Sequence, residues 1–500
     1  MTSAPPFGST WLLVIAAAAT AHAETRPHYG GTVEASLLGA PVSLDPLAAQ
    51  SHAEITVVDL VFDTLYRVGP DGIVQPHLAT ALPVLDGART SARITIRKGV
   101  RFHDGSELTA QDVAASLLRE LKSGPHWLLA PVAAVHVDGD AIELALRAPV
   151  AELTTLLALP QTAVTKGGKP PAGDRAIGSG PFSIETIDRP KRRLALRAFD
   201  EHFAGRPYLD ALVLRWYDTP DGEARRFETG TSQISARGVA AFAGAQPAYR
   251  ADDVEGPAAL LVFVGFGRAH PDITVDRGFR HALDLALARG ALTAIGSGER
   301  VVPTREPVPV EAGAAVLVTA GRAADPDAAR AQLALAQQHV AALAADKLAA
   351  LRLEILVEDS RPDDREIAAS VVLALDRLGI AAAITAVPAA TLRERAAKGT
   401  CDLWIGQLAA PVTSAASWWG SAFAAGGDDW ADKQLAVGAI DAAQAGKTFA
   451  DHLPIVPLMF RAVRIWHRTD VRGLGFDASG RLDFADLFVF GEPARSRSKP

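Results

Sequence analysis

Between Leu351 and Gly406 the chain alternates strand and helix patterns, and this run restricts the fold more than any other stretch. Leu351 to Val357 reads as a strand, Asp363 to Leu378 as a helix and Ile380 to Val387 as a second strand. Ala389 to Lys398 follows as a helix and Asp402 to Gly406 as a third strand. Such a succession predicts parallel strands joined by right-handed crossovers, hence an α/β protein. Ligands in these sheets gather beyond the carboxyl ends of the strands. That puts Glu358, Asp359 and Ser360, and then Gln407 onward, near a cleft. At 500 residues the chain exceeds what one hydrophobic core serves, so about two or three lobes are expected.

Other stretches supply further elements. Gly31 to Leu38 alternates as a strand, and Ile55, Val58, Phe62 and Leu65 recur at helical spacing. Arg93 to Arg97 is a short strand leading into the turn His103-Asp104-Gly105. Thr109 then reads as a helix cap, with Asp112 in the first turn. A hairpin is expected around Asp138-Gly139-Asp140, and a turn at Gly178-Ser-Gly-Pro-Phe182. Strands follow around Leu194 to Arg197 and Ala211 to Arg215. Ala259 to Phe266 is an apolar run suited to a buried strand. Asp276 to Leu292 reads as one helix. Asp325-Pro326 starts another, expected to run to about Leu348.

The amino terminus carries Trp11 to Ala19, apolar but too short to span a bilayer, and then Ala21-His-Ala23. This pattern predicts a signal peptide over 1-23, although no Lys or Arg precedes Trp11. The single cysteine, Cys401, allows no intrachain disulfide and reads as a small buried hydrophobe. No cysteine follows the signal region, so a free periplasmic protein is expected rather than a lipoprotein. A net charge of -7 without Lys/Arg clusters argues against nucleic acid as a partner. The basic stretch Arg495 to Lys499 reads as part of a frayed tail, 491-500.

Motifs for chemistry are missing. Gly265-Phe-Gly-Arg-Ala-His270 lacks the third glycine of a dinucleotide loop. No G-x-S-x-G, H-E-x-x-H or paired-cysteine pattern occurs. No catalytic residue, cofactor or metal is expected, and an exported hydrolase would have no triad behind it. His103 reads as a structural hydrogen-bonding residue.

The segment Arg97-Lys-Gly-Val-Arg-Phe-His-Asp-Gly-Ser-Glu-Leu-Thr-Ala-Gln-Asp-Val113 resembles the "lrkgvkFHDGtpltAeDV" signature of ABC-importer substrate-binding proteins, solute-binding family 5, the peptide/nickel type. Gly178, Gly180, Pro181, Phe203, Pro207, Tyr208, Leu209 and Asp210 match the family's "GtGPy…l.rNpdYwggkPyLD" pattern. Asp276 to Leu292, Leu453 to Phe460, Val471 to Gly475 and Gly480 to Leu487 resemble later family elements. The resemblance covers nearly all of the mature chain. It implies a bilobal periplasmic binding protein fold of the class II type with an additional third domain. Lobe I would comprise 24-54, 175-225 and 455-490, the extra domain 55-174, and lobe II 226-454. A small solute would be held in the crevice, the lobes closing by hinge motion, and delivered to a membrane ABC permease. Such a protein is expected to be a monomer and to catalyse nothing.

Trp404, Trp418 and Trp419 are the aromatic candidates for a ligand wall, with Gln407 and Glu358 as polar partners. On an extended segment Trp418 and Trp419 would point different ways, so at least one is expected to face the cleft. Peptide-binding family members carry an aspartate just after the strand matching Asp402 to Gly406, where it pairs with the peptide amine. Here no charged residue occurs from Leu403 to Gly427. Gly267 stands where the family has asparagine, and Gln233 where it has aspartate. A buried ammonium without a carboxylate is costly. The departures point to a neutral or apolar ligand, or to a divergent paralogue acting as a sensory or interaction protein.

Overall fold

The computed structural model describes residues 27–490, except 70, 151, 243–244, 296–298, 310–322, 349, 362, 410–414, 438–440 and 478–479. The expected signal segment and the tail lie outside the described residues. Among the described residues no helix is long and apolar enough to cross a membrane.

A sheet of 11 strands organises the molecule. In chain order these are β1 (Thr32–Ser36), β2 (Phe182–Asp188), β3 (Arg193–Ala198), β4 (Ala211–Arg215), β5 (Ile234–Ser235) and β6 (Ala251–Phe266). Then come β7 (Val301–Pro303), β8 (Arg352–Glu358), β9 (Ala381–Val387), β10 (Leu403–Ala409) and β11 (Val456–Arg468). Their order is β9-β8-β10-β6-β11-β5-β1-β4-β3-β2, with β7 on β11. The alternating run therefore folds as read: β8 pairs in parallel with both β9 and β10. Leu353, Ile355, Leu356 and Val357 are buried, which is why β8 reads as a near-continuous apolar run. At the other end β1 pairs in parallel with β4.

Three large hydrophobic clusters and two small ones are found among the described residues. One gathers Leu261 to Val264 with Ile355, Ile405, Trp418 and Phe460. A second gathers Leu65, Ile94, Val113, Leu144 and Leu156 around a four-stranded antiparallel sheet. The third gathers Val33, Val58, Phe182, Leu212 and Ile465. The long strands β6 and β11 run between clusters: Phe460 belongs to the first and Val463 and Ile465 to the third. Their pairing is irregular between Glu255 and Leu260, where Pro257 removes a ladder donor.

Several local expectations hold. Thr109 caps the helix Ala110–Ser123, with its backbone N–H donating to Asp112 Oδ2 at 2.9 Å. Val132–Asp138 and Ala141–Leu146 form the expected hairpin. His103 is structural: it accepts from Gly178 N–H at 3.3 Å and donates to the Gly180 carbonyl at 2.9 Å. Cys401 is buried and free, and burial pushes its thiol up to about 11.

Two helices are shorter than their patterns. The helix after Asp276 ends at Ala286, because buried Arg289 must reach the Pro457 carbonyl, 2.9 Å away. The helix opened by Asp325 spans Pro326–Gln337 rather than continuing to Leu348. His339 turns toward Asp276 at 2.6 Å, and Val340 and Leu343 turn into the core.

Candidate functional site

A cleft opens where strand ends from the two halves of the sheet meet. Leu38 and Gly39, just past the end of β1, line it together with Pro220 and Arg237. Facing them are Leu260 of β6, Gln407 of β10, Arg461 of β11, and Arg361 and Asp363 just past the end of β8. Both parallel ends of the sheet thus aim carboxyl termini of strands at one crevice, as open α/β sheets do.

The cleft is lined by charge as well as by apolar surface. Arg361 pairs with Glu358 at 2.9 Å and with Asp364 at 3.2 Å. Arg461 bridges Glu299 and Asp363, the latter at 2.7 Å. Burial pushes the Asp364 carboxyl up to about 6, against the pull of Arg361. Arg237 is held differently. Its Nη2 donates to the carbonyls of Tyr217, at 2.8 Å, and Ser360. Its Nε lies 3.8 Å from Glu223 Oε2, but its Nη1 has no hydrogen-bond partner among the described residues. The N–H groups of Nη1 remain able to donate to an anion. Leu38, Pro220, Leu260 and Val463 supply the apolar wall.

Distant segments are also tied together. Besides the Arg237–Ser360 bond, Arg393 forms a bidentate pair with buried Glu54 at 2.8 and 2.7 Å.

The residues anticipated for the site are only partly together. Gln407 lines the cleft and lies 3.5 Å from Asp364 Oδ1. Glu358 sits behind it, buried and bound to Ser360 and Arg361. Trp404 packs edge-on against Phe263 at 5.1 Å and is not among the lining residues. Trp418 and Trp419 occupy the helix Ala415–Ala425 rather than an extended segment. Both are buried, Trp418 against Phe460 at 5.3 Å and Trp419 against Phe449 at 5.6 Å. The sequence reading overlooked Arg237, Arg361 and Arg461. For Arg461 a signal existed, since it interrupts the apolar run of β11.

The model of the bacterial extracellular solute-binding proteins, family 5 Middle, matches residues 74–430. The oligopeptide-binding protein AppA of Bacillus subtilis is 26% identical over 289 residues, 53% of this chain and 52% of that protein. The chain thus spans about half the length, or less, of the curated relatives it matches. The fold is that of a dipeptide-binding protein from Pseudoalteromonas solved with Met-Leu. The TM-score is 0.77 at 15% identity, covering 92% of this chain and 100% of that one. It is also that of AgaA from A. tumefaciens, solved with agropinic acid. There the TM-score is 0.76 at 20% identity, covering 93% and 99%. The bilobal periplasmic binding protein architecture is therefore the fold of this chain.

Proposed function

We propose that this chain, which belongs to the bacterial extracellular solute-binding proteins of family 5, holds a small solute bearing an anionic group in the cleft beside Arg237. In this reading it is an exported monomer that performs no chemistry and hands its solute to a membrane ABC importer. The observation that carries the reading is the unpartnered, buried Nη1 of Arg237, a residue that lines the cleft. Leaving such a donor unpartnered in the interior is costly, and a carboxylate would satisfy it. Agropinic acid and Met-Leu, held by the two structural neighbours, are both carboxylate-bearing. The uncharged stretch from Leu403 to Gly427 argued for a neutral or apolar solute; the charge of this cleft comes from other segments.

The lobe assignment belongs to the same proposal: 24-54, 175-225 and 455-490 in one lobe, 226-454 in the other, and an extra domain over 55-174. The cluster joining Val58 to Val33 and Leu212 favours the first lobe for the helix His52–Val61.

A thermal-shift panel of small carboxylic acids and short peptides, each beside its amide, tests the function at neutral pH. Acids should raise Tm and amides should not. Arg237→Gln should weaken acid binding on the order of 10- to 100-fold, the worth of a hydrogen bond to a charged group. Equal shifts from acids and amides would restore the neutral or apolar solute. No shift from any compound would favour the non-transporting paralogue.

A further inference from the structure

We propose that Asp63, His77 and His202 form a divalent-cation site, with zinc the ion their donor set suits best. The three residues converge from distant stretches. Asp63 follows the helix His52–Val61, His77 follows the short strand Val74–Pro76, and His202 lies in the connection between β3 and β4. Their ligand atoms all lie within 4.8 Å of one another.

The hydrogen bonding around His202 carries the argument. Its Nδ1 is 3.1 Å from the Gly205 carbonyl, which can only accept, so Nδ1 bears the hydrogen. In the neutral ring Nε2 is then a bare lone pair. It faces Asp63 Oδ1 at 3.6 Å, its side chain 7% exposed, and has no hydrogen-bond partner among the described residues. Two acceptors aimed at each other in the interior need a positive charge between them. A proton on His202 would supply one. A metal ion would supply it and use the geometry better. Zinc–ligand bonds of about 2.0–2.1 Å place tetrahedral ligands roughly 3.3 Å apart. The 3.6 Å separation from His202 and the 2.8 Å separation of His77 Nε2 from Asp63 Oδ1 bracket that value.

The surroundings resemble those of built sites. Ser179 Oγ donates to Asp63 Oδ2 at 2.7 Å, which orients the carboxylate and leaves Oδ1 for the ion. The Gly205 carbonyl does the same for His202. Phe203 packs on both imidazoles, at 4.9 Å from His77 and 4.8 Å from His202, and walls the site. Two imidazoles and one carboxylate suit zinc better than magnesium or calcium, which prefer all-oxygen shells. His103 is not a ligand, because both its ring nitrogens are engaged by the Gly178–Gly180 backbone. On binding, the ion takes the Nε2 lone pair of neutral His77, whose single ring hydrogen then sits on Nδ1; only a ring that was protonated beforehand releases a proton to solvent. The ion would tie His77 and His202, both packed on Phe203 beside the second core cluster, to Asp63, which follows Phe62 of the third.

Zinc titration of the chelator-treated full chain by calorimetry tests the site, with cobalt absorption as the spectroscopic readout. We expect one zinc per chain at this site, visible-region cobalt bands that zinc bleaches, and a higher Tm with zinc. His202→Ala and His77→Gln should each weaken zinc by more than about 10-fold, the loss that even an outer-shell change can produce, and remove the cobalt bands. Absent cobalt bands in the unaltered chain, or zinc affinity unchanged in both variants, would overturn the assignment. Should His202→Ala fail to fold, the milder His77→Gln decides.

Discussion

Glu120 and Glu54 are the same residue type, both buried, and their carboxyls move in opposite directions. Glu120, 2% exposed, has no hydrogen-bond partner for either oxygen among the described residues. Burial pushes it up to about 8, opposed by the charge of Arg119 and helped by that of Asp45. Around Glu54 burial also raises the carboxyl, but Arg393 and the N–H groups of Ser51 and Gln50 outweigh it and hold it low. Partners, not burial alone, decide the sign. For Glu120 the folded pKa lies above the unfolded value, so the folded chain binds its proton more tightly. The stabilisation is fully present below about pH 4.5 and is lost as the pH rises through about 8. Glu120→Gln should therefore be more stable than the parent above pH 8, by on the order of a few kcal/mol. Below pH 4.5 the two should match. Urea midpoints at pH 4.5 and pH 9 measure this. At this scale the sequence was least informative. Glu120 reads as an ordinary polar position, and Arg237 as one arginine among many, until packing surrounds them.

At the scale of elements, the turn Gly178-Ser-Gly-Pro-Phe182 presses on the end of the helix His52–Val61. A Cβ on Gly178 would sit 1.8 Å from the Val61 carbonyl oxygen, and one on Gly180 2.6 Å from the Val61 carbonyl carbon. Both contacts are with backbone, which cannot rotate away. Gly178→Ala should destabilise the chain by about 3 kcal/mol or more, read as a fall in urea midpoint. Asp276 caps Arg277–Ala286 by accepting from Phe279 N–H at 2.9 Å. Asp276→Ala should cost about 1 kcal/mol from the cap, and His339 would lose its partner as well. Caps, turns and the alternating run were legible because they are set by neighbours in the chain. The helix ends at Ala286 and Gln337 were not. They answer to Pro457 and Asp276, residues far along the sequence. The helix holding Trp418 and Trp419 was missed for a related reason: its tryptophans are selected by Phe460 and Phe449 across the core.

At the scale of the molecule, distant segments are tied together by Arg393–Glu54 and, beside the cleft, by Arg237–Ser360. These contacts join segments 339 and 123 positions apart. Arg393→Ala leaves Glu54 with its backbone donors from Ser43, Gln50 and Ser51. The loss should therefore fall below the about 3–5 kcal/mol typical of a broken buried pair, near 1–3 kcal/mol. It should appear as a larger radius of gyration in solution scattering without ligand, because one tie between these distant segments is lost. An unchanged radius would mean the pair does not hold these segments together.

The sequence by itself determined the α/β class, the parallel run from β8 to β10, the hairpin and capping signals, and the family. Each rests on periodicity or on residues close in the chain, where the backbone imposes the geometry. Tertiary structure alone decided which side chains meet in the cleft. Arg237, Arg361, Gln407 and Arg461 arrive there on separate segments. Asp63, His77 and His202 likewise converge from separate segments. No local spacing records such meetings, since strand order and lobe packing create them, and Trp418 and Trp419, expected on a ligand wall, were drawn into the core instead.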